Sequence, residues 1–514
     1  MTDHGTEAVP SSVSDLIRRA VRATPDGLAV VDGPARLSWS ELDARVSAAA
    51  LALRASGLED GDRVALQLGT SIDFVVLYLG ADRAGLITVP VNPAYTLPEL
   101  THVLDDSGAR LLVTSNPASV DVAGPQIVTA SSAPAPGKRT VAELLEAAPP
   151  GADPRRDRVG EDVSLLLYTS GTSGRPKGAM LSTRALLANL AQVAAVDPPM
   201  ITGSDVAYVP LPLFHVFGLN AGLGIALHAG ATTVLADRFD PLESLATMAA
   251  ERITVVIGAP GMFAQWASRP ELATGFAGVR YAVSGSAPLP AALVATYAAH
   301  GIVLHEGYGL TEAAPGITLN RAGKAGSIGR ALPGVEIELR DQDGSPVSDE
   351  DDDPGELYVR GRNLFSGYWP AGDGGPDTDG WFGTGDIAVR DDDGNLVLVG
   401  RSSELVLVNG FNVYPAEVES VLGAQPGVAE VAVVGAEDPE TGEAVVAYVV
   451  PAPGVVLDVD QLLAAASGSL AKFKLPRSIS LVETLPHTVT GKVMKWRLRA
   501  EPPPMRIGKQ SKAR

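Results

Sequence analysis

Residues 168–178, YTSGTSGRPKG, place three glycines, four Ser/Thr hydroxyls and one lysine directly behind the apolar run Val163-Ser164-Leu165-Leu166-Leu167. The run has the composition of a buried strand, and the small polar cluster ends it. Glycines let successive backbone N–H groups face one concavity, a shape that suits phosphate oxygens. Thr169, Ser170, Thr172 and Ser173 add hydroxyls around Gly171 and Gly174, and Lys177 adds a positive charge. The spacing is not that of the G-x-x-x-x-G-K-[ST] loop, because Lys177 does not follow Gly174 directly. A Gly/Ser-rich surface turn has a similar composition. A strand running straight into the glycines, with Pro176 stiffening the exit, favours the phosphate cradle.

Such a loop must be held by a sheet. ARLLVTS (109–115), ATTVLAD (231–237), ITVVIGAP (253–260), VRYAVSGSA (279–287) and GIVLHEGYG (301–309) are short apolar runs, each ending in small or polar residues. That pattern predicts parallel strands covered by helices. Ligand sites in such sheets gather beyond the carboxyl ends of the strands, where the loops 168–178, 284–288 and 306–312 fall. From 321 to 400 the chain becomes turn-rich (GELYVRG, GYW, GWFGTGD, DGNLVLVG), which predicts a β-barrel-like segment. After Arg401 a smaller region has its own alternation of strands and helices. The tail from Glu501, EPPPMRIGKQSKAR, has the composition of a disordered segment.

The chain has 514 residues, 46% of them hydrophobic, enough for a large core and more than one domain. It has no cysteine, which excludes disulfides, thiolate metal sites and a thiol nucleophile. A net charge of −20 without a basic stripe argues against a nucleic-acid partner. Asp349–Asp353, within SDEDDDP, reads as a solvated turn rather than a metal site. The N-terminus shows no secretory pattern, and Leu219–Ala236 reads as a helix plus a strand, so a cytoplasmic protein is expected. Val13, Leu16, Ile17, Ala20 and Val21 form a helical stripe, expected to pack internally and to make at most peripheral membrane contact.

Six motifs, in order, carry a family resemblance: YTSGTSGRPKG (168–178), PLPLFHVFG (210–218), GYGLTE (307–312), GWFGTGD (380–386), GRSSELVLVNGFNVYPAEVE (400–419) and PHTVTGK (486–492). Together they resemble the adenylate-forming superfamily of acyl-CoA synthetases, luciferases and peptide-synthetase adenylation domains, from about residue 12 to 500. The resemblance implies an α/β fold. A large N-terminal domain, 1–400, combines helix-covered β-sheets with the β-barrel-like segment. A small mobile α+β domain, 401–500, carries a catalytic lysine, and 501–514 is the tail.

The implied chemistry uses ATP, Mg²⁺ and CoA. A carboxylate attacks the α-phosphate and expels pyrophosphate, then a thiol takes the acyl group and releases AMP. Phosphoryl chemistry of this kind asks for positioned charge more than covalent help. By resemblance, Thr169, Ser170, Gly171, Thr172, Ser173, Gly174 and Lys177 cradle phosphates, and Glu312 binds Mg²⁺. Tyr308, between Gly307 and Gly309, offers a ring for adenine opposite Gly285, Ser286 and Ala287. Thr311 lies near the α-phosphate, and Asp386 binds ribose hydroxyls with Arg401 beside it. Lys492 bridges the substrate carboxylate and the α-phosphate. His215 gates the acyl/CoA junction, Gly410 and Phe411 border the CoA tunnel, and Ser403 is the hinge.

Among family members, a CoA ligase fits best. Val216-Phe217-Gly218-Leu219 lacks the aspartate an amino-acid adenylation domain places there, no insertion marks an acyl-AMP ligase serving a carrier protein, and a luciferase belongs to a narrow group. The acyl segments (Phe214, Val216, Phe217, Val256, Ile257, Met262 and Phe263) are uncharged, so a dicarboxylate would strand its second charge. A medium- or long-chain fatty acid is expected first and an aryl acid second. Ser403 and Asn409 depart from the family's usual residues at the junction, which leaves a small share for a non-enzymatic nucleotide-binding regulator. Pro486-x4-Gly491-Lys492 resembles a site for protein acetyltransferases.

Overall fold

The computed structural model describes residues 10–150, 154–156, 158–169, 176–341, 343–348, 353–408, 411–438, 441–487, 493–500 and 506–507. The acidic turn at 349–352 and most of the tail lie outside these. The chain forms two compact units, Met1–Glu336 with Val359–Phe382, and Ile337–Tyr358 with Gly383–Arg514.

The first unit holds two large sheets. One runs Arg139–Thr140, Gln126–Thr129, Leu111–Thr114, Arg63–Gln67, Ile87–Pro90, Val163–Thr169, Lys177–Ser182, parallel except for the last pair. The other has nine strands. Its parallel middle is Leu304–Gly309, Tyr281–Ser284, Val255–Gly258, Val206–Val209, Thr232–Leu235 and Leu28–Asp32. The five apolar runs are strands in these sheets, and central ones such as Leu111–Thr114 and Val255–Gly258 are buried at every position. Helices cover them and begin where the sequence caps them: Ser38 Oγ accepts the Glu41 N–H at 3.2 Å while Glu41 Oε2 accepts the Ser38 N–H at 2.8 Å, opening Trp39–Ala55.

The N-terminal stripe packs inward, with Val13, Leu16, Ile17 and Ala20 all buried. Among the described residues no helix is long and apolar enough to cross a membrane. Behind the middle strands lies an aromatic core of Phe263, Trp266, Phe276 and Tyr297, packed edge-on or tilted at 5.2–6.5 Å between ring centres. Its two polar tips are satisfied: Trp266 Nε1 donates to Ser244 Oγ at 2.6 Å and Tyr297 Oη to the Phe263 carbonyl at 2.9 Å.

The turn-rich stretch first adds Arg330–Ala331 to the nine-stranded sheet. It then makes a four-stranded sheet in sequential order, Val335–Arg340, Gly355–Gly361, Trp381–Arg390 and Leu396–Arg401. The second unit contains a six-stranded sheet around the long pair Val428–Asp438 and Gly442–Pro451. Helices Pro415–Gly423 and Val459–Ser467 cover it through a core that includes Val418, Leu422, Leu462 and Ala466.

Candidate active site

Strands Val163–Thr169 and Lys177–Ser182 form an antiparallel hairpin in which Thr169 faces Lys177. Tyr168, Thr169, Lys177 and Gly178 are therefore strand residues rather than loop residues. Ser170, Gly171, Thr172, Ser173 and Gly174 lie outside the described residues. Lys177 is exposed, and its Nζ stands 5.5 Å from the centre of the Tyr368 ring.

Tyr368 connects this hairpin to Glu312. Its hydroxyl donates to Glu312 Oε1 at 2.7 Å. The segment around it is stitched to both neighbours: Trp369 N–H donates to the Gly178 carbonyl at 2.8 Å, Met180 N–H to that of Gly367 at 3.0 Å and Phe365 N–H to that of Glu312 at 2.8 Å. Burial first, and the Glu312 carboxylate second, push the Tyr368 phenol well above its ordinary range, so it stays a donor at neutral pH. Ser366 Oγ, two residues away, is buried without a hydrogen-bond partner.

Among the described residues no three acidic or histidine side chains converge on a point. A divalent ion here would rest on Glu312 and share its remaining coordination with phosphate oxygens and water, a donor set that suits Mg²⁺. Thr311 and Glu312 sit in the short turn Thr311–Ala313 directly after strand Leu304–Gly309.

The residues expected on the adenine side come from adjacent strand ends. Ser284 pairs with Glu306 in parallel register, which sets 285–287 beside 307–309. Gly285 N–H donates to the Gly258 carbonyl at 3.2 Å. A Cβ on Gly285 would come within 2.8 Å of Phe217 Cζ and 3.2 Å of the Gly307 carbonyl oxygen, so any larger residue would have to push the Phe217 ring aside. Ser286 takes the left-handed φ of +75°, a local strain seen at ligand sites. Ala287 follows it, and Tyr308 stands opposite Thr318 on the return strand. Gly309 passes so close to the Pro315 carbonyl that a side chain would collide with it.

The segment expected to line the acyl site opens a helical stretch with a widened turn, Phe217–Gly224, of a kind that concentrates at functional sites. Phe214, His215 and Phe217 are partly buried and Val216 is buried. Burial lowers the His215 pKa, leaving a neutral imidazole at neutral pH. Val256 and Phe263 need correction as lining residues. Both are 0% exposed within the aromatic core, so they back the site and present no surface to a ligand. Met262 packs at the margin of that core, and Ile257 is buried on its strand.

In the second unit, Asp386 and Arg401 face each other on neighbouring strands, with Arg401 Nε donating to Asp386 Oδ1 at 2.8 Å. Phe411 is 56% exposed and stacks on Phe473 at 4.8 Å. Ser403 lies in the short turn Ser402–Glu404. Asn409, Gly410 and Lys492 lie outside the described residues.

Tyr368 is the site residue that motif reading missed. GYW stood out as a turn, but nothing local signals that its hydroxyl meets a carboxylate 56 residues earlier.

The profile of the AMP-binding enzyme family matches residues 17–369, and that of the AMP-binding enzyme C-terminal domain matches 417–492. A feruloyl-CoA synthase from an Amycolatopsis species is 38% identical over 493 residues, covering 94% of this chain and 97% of its own. A long-chain fatty acid–CoA ligase of Mycobacterium tuberculosis is 32% identical over 486 residues, covering 91% and 93%. The crystal structure of ATP-bound MatB from Rhodopseudomonas palustris superposes with a TM-score of 0.88 at 35% identity, covering 95% of this chain and 98% of that one. Adenylate-forming CoA ligases use ATP, Mg²⁺ and CoA, and the chain belongs to the AMP-binding enzyme family as one of its AMP-forming acid–CoA ligases.

Proposed function

We propose that the substrate is an apolar carboxylic acid, activated as its acyl-AMP and transferred to CoA, and that ring-bearing acids are preferred over long alkyl chains. The observation that carries this reading is the packed aromatic core directly behind the acyl segments. Phe263, Trp266 and Tyr297 have no exposed surface, so this core fills the space behind those segments, which supports a compact ring over a long chain. The absence of charge among Phe214, Val216, Phe217, Ile257 and Met262 argues against dicarboxylates. The feruloyl-CoA relative supports the aryl reading. A medium- or long-chain fatty acid is the second reading, supported by the same uncharged lining and by the mycobacterial relative.

Within this reading Lys492 acts in adenylation from a C-terminal domain, 401–500, that swings about Ser403 against 1–400. Asp386 and Arg401 hold the ribose, and Gly410 and Phe411 border the path of CoA. A cytoplasmic setting and acetylation of Lys492 belong to the same proposal. ATP–pyrophosphate exchange with cinnamic, phenylacetic, C6–C18 fatty and dicarboxylic acids tests the substrate. The expected order is aryl, then fatty, with dicarboxylates inert. Best turnover with C16 or C18 acids would reverse the preference. Transfer to a phosphopantetheinyl carrier protein in preference to CoA would identify an acyl-AMP ligase instead.

A further inference from the structure

The turn that carries Thr311 and Glu312 is held by side-chain amides drawn from three distant segments. Asn220, within Phe217–Gly224, donates from Nδ2 to the Ala314 carbonyl at 2.6 Å. Asn189, on helix Thr183–Ala194, both donates to the Gly316 carbonyl at 2.9 Å and accepts the Gly316 N–H at 3.2 Å. Asn363 donates to the Ala313 carbonyl at 2.9 Å and the Gly316 carbonyl at 3.0 Å. Gln192 Nε2 in turn donates to Asn363 Oδ1 at 3.2 Å, and Asn189 Nδ2 lies 3.3 Å from Gln192 Oε1. With Phe365 N–H on the Glu312 carbonyl and Leu310 N–H on that of Pro315, every carbonyl from 312 to 316 has a donor.

All four amides are buried, Asn189, Asn220 and Asn363 at 1% exposure and Gln192 at 7%. Buried amides contribute little net stability even when fully bonded, and cost heavily when a partner is lost. What such a network supplies is a single geometry. The turn needs that constraint, because Ala314 is held at a left-handed φ of +62°.

We propose that Asn189, Gln192, Asn220 and Asn363 are positioning residues that hold the Glu312 carboxylate ready for a magnesium-bound triphosphate before the nucleotide arrives. The role rests on the assignment of Glu312 to the divalent ion. Preorganised charge of this kind avoids reorganisation when the ligand binds. Asn220 also belongs to the stretch whose Phe217 lies against Gly285, so one element braces the Glu312 turn and borders the acyl side.

The test measures binding of α,β-methylene-ATP, which cannot release pyrophosphate, by calorimetry with and without Mg²⁺. Asn220→Leu keeps the forked outline of the side chain, with two bulkier methyls in place of the amide oxygen and nitrogen, and removes the donor to Ala314. The expected result is unchanged affinity without magnesium, loss of roughly tenfold in the affinity that magnesium adds, and a lower kcat for pyrophosphate exchange with little change in the KM for the acid. Asn189→Asp, which keeps the acceptor for Gly316 N–H, carries the same expectation if Asn220→Leu fails to fold. A lowered melting temperature with the magnesium-dependent gain intact would overturn the proposal and leave the amides purely structural. Glu312→Gln separates the two layers. If it loses the gain while the Asn variants keep it, the amide role is wrong; if it keeps the gain, the Glu312 assignment fails and the proposal falls with it.

Discussion

Tyr368 Oη and Glu312 Oε1 lie 2.7 Å apart, joined by a hydrogen bond that fixes one carboxylate oxygen while the tyrosine ring faces Lys177. One phenol thus relates the hairpin of strands Val163–Thr169 and Lys177–Ser182 to the carboxylate proposed for the metal. Tyr368→Phe keeps the ring and removes only the donor. Adenylation measured by pyrophosphate exchange should fall about tenfold, the loss of one hydrogen bond to a charged group, and half-maximal activity should need more magnesium. An unchanged magnesium dependence would show that the bond does not orient Glu312.

Lys492 is assigned to adenylation alone. Lys492→Ala should cut acyl-AMP formation by at least about 10²-fold, the scale of losing a charge aimed at the reacting phosphate. Thioester formation from supplied acyl-AMP and CoA should stay within a few-fold of the unmodified chain. Measured separately, equal losses in both steps would contradict the division of labour.

The strands and the loops at their ends were legible because β-branched, apolar runs stop at glycines, a pattern set by local chemistry. Glu312 stood out through its motif, GYGLTE. Tyr368 did not, because its partner is brought to it only when segment 365–369 pairs beside strand Lys177–Ser182. Val256 and Phe263 show the opposite limit. An apolar side chain reads the same whether it lines a pocket or fills a core, and only packing against Trp266, Phe276 and Tyr297 places Phe263 in the core. The buried amides are likewise silent in the sequence, since Asn189 and Asn363 meet through Gln192 and the turn, and Asn220 joins them through the turn.

Ser403 lies in the turn Ser402–Glu404, directly after strand Leu396–Arg401, where a rotation of the C-terminal domain would need a change in backbone angles. Ser403→Pro fixes φ near about −65° and removes an N–H. One half-reaction should stay near normal and the other slow by an order of magnitude or more. If single-turnover rates for both steps remain within a few-fold of the parent, the pivot lies elsewhere.

Glu306, in strand Leu304–Gly309 opposite Ser284, sets a pH dependence. It is 6% exposed, and burial raises its pKa from 4.5 to about 7, partly opposed by the Leu289 N–H that Oε1 accepts at 3.1 Å. The folded chain therefore holds this proton over a range in which the unfolded chain has released it. Stability from this group is complete below pH 4.5 and is lost as pH rises through about 7. Glu306→Gln removes the ionisation and keeps an acceptor for Leu289 N–H. It should be close to neutral at pH 4.5 and stabilising by about 1–3 kcal/mol at pH 8. Urea midpoints taken across that range give the answer. The difference between variant and parent must grow with pH and level off above about 7; parallel curves would mean that Glu306 titrates alike in the folded and unfolded chains.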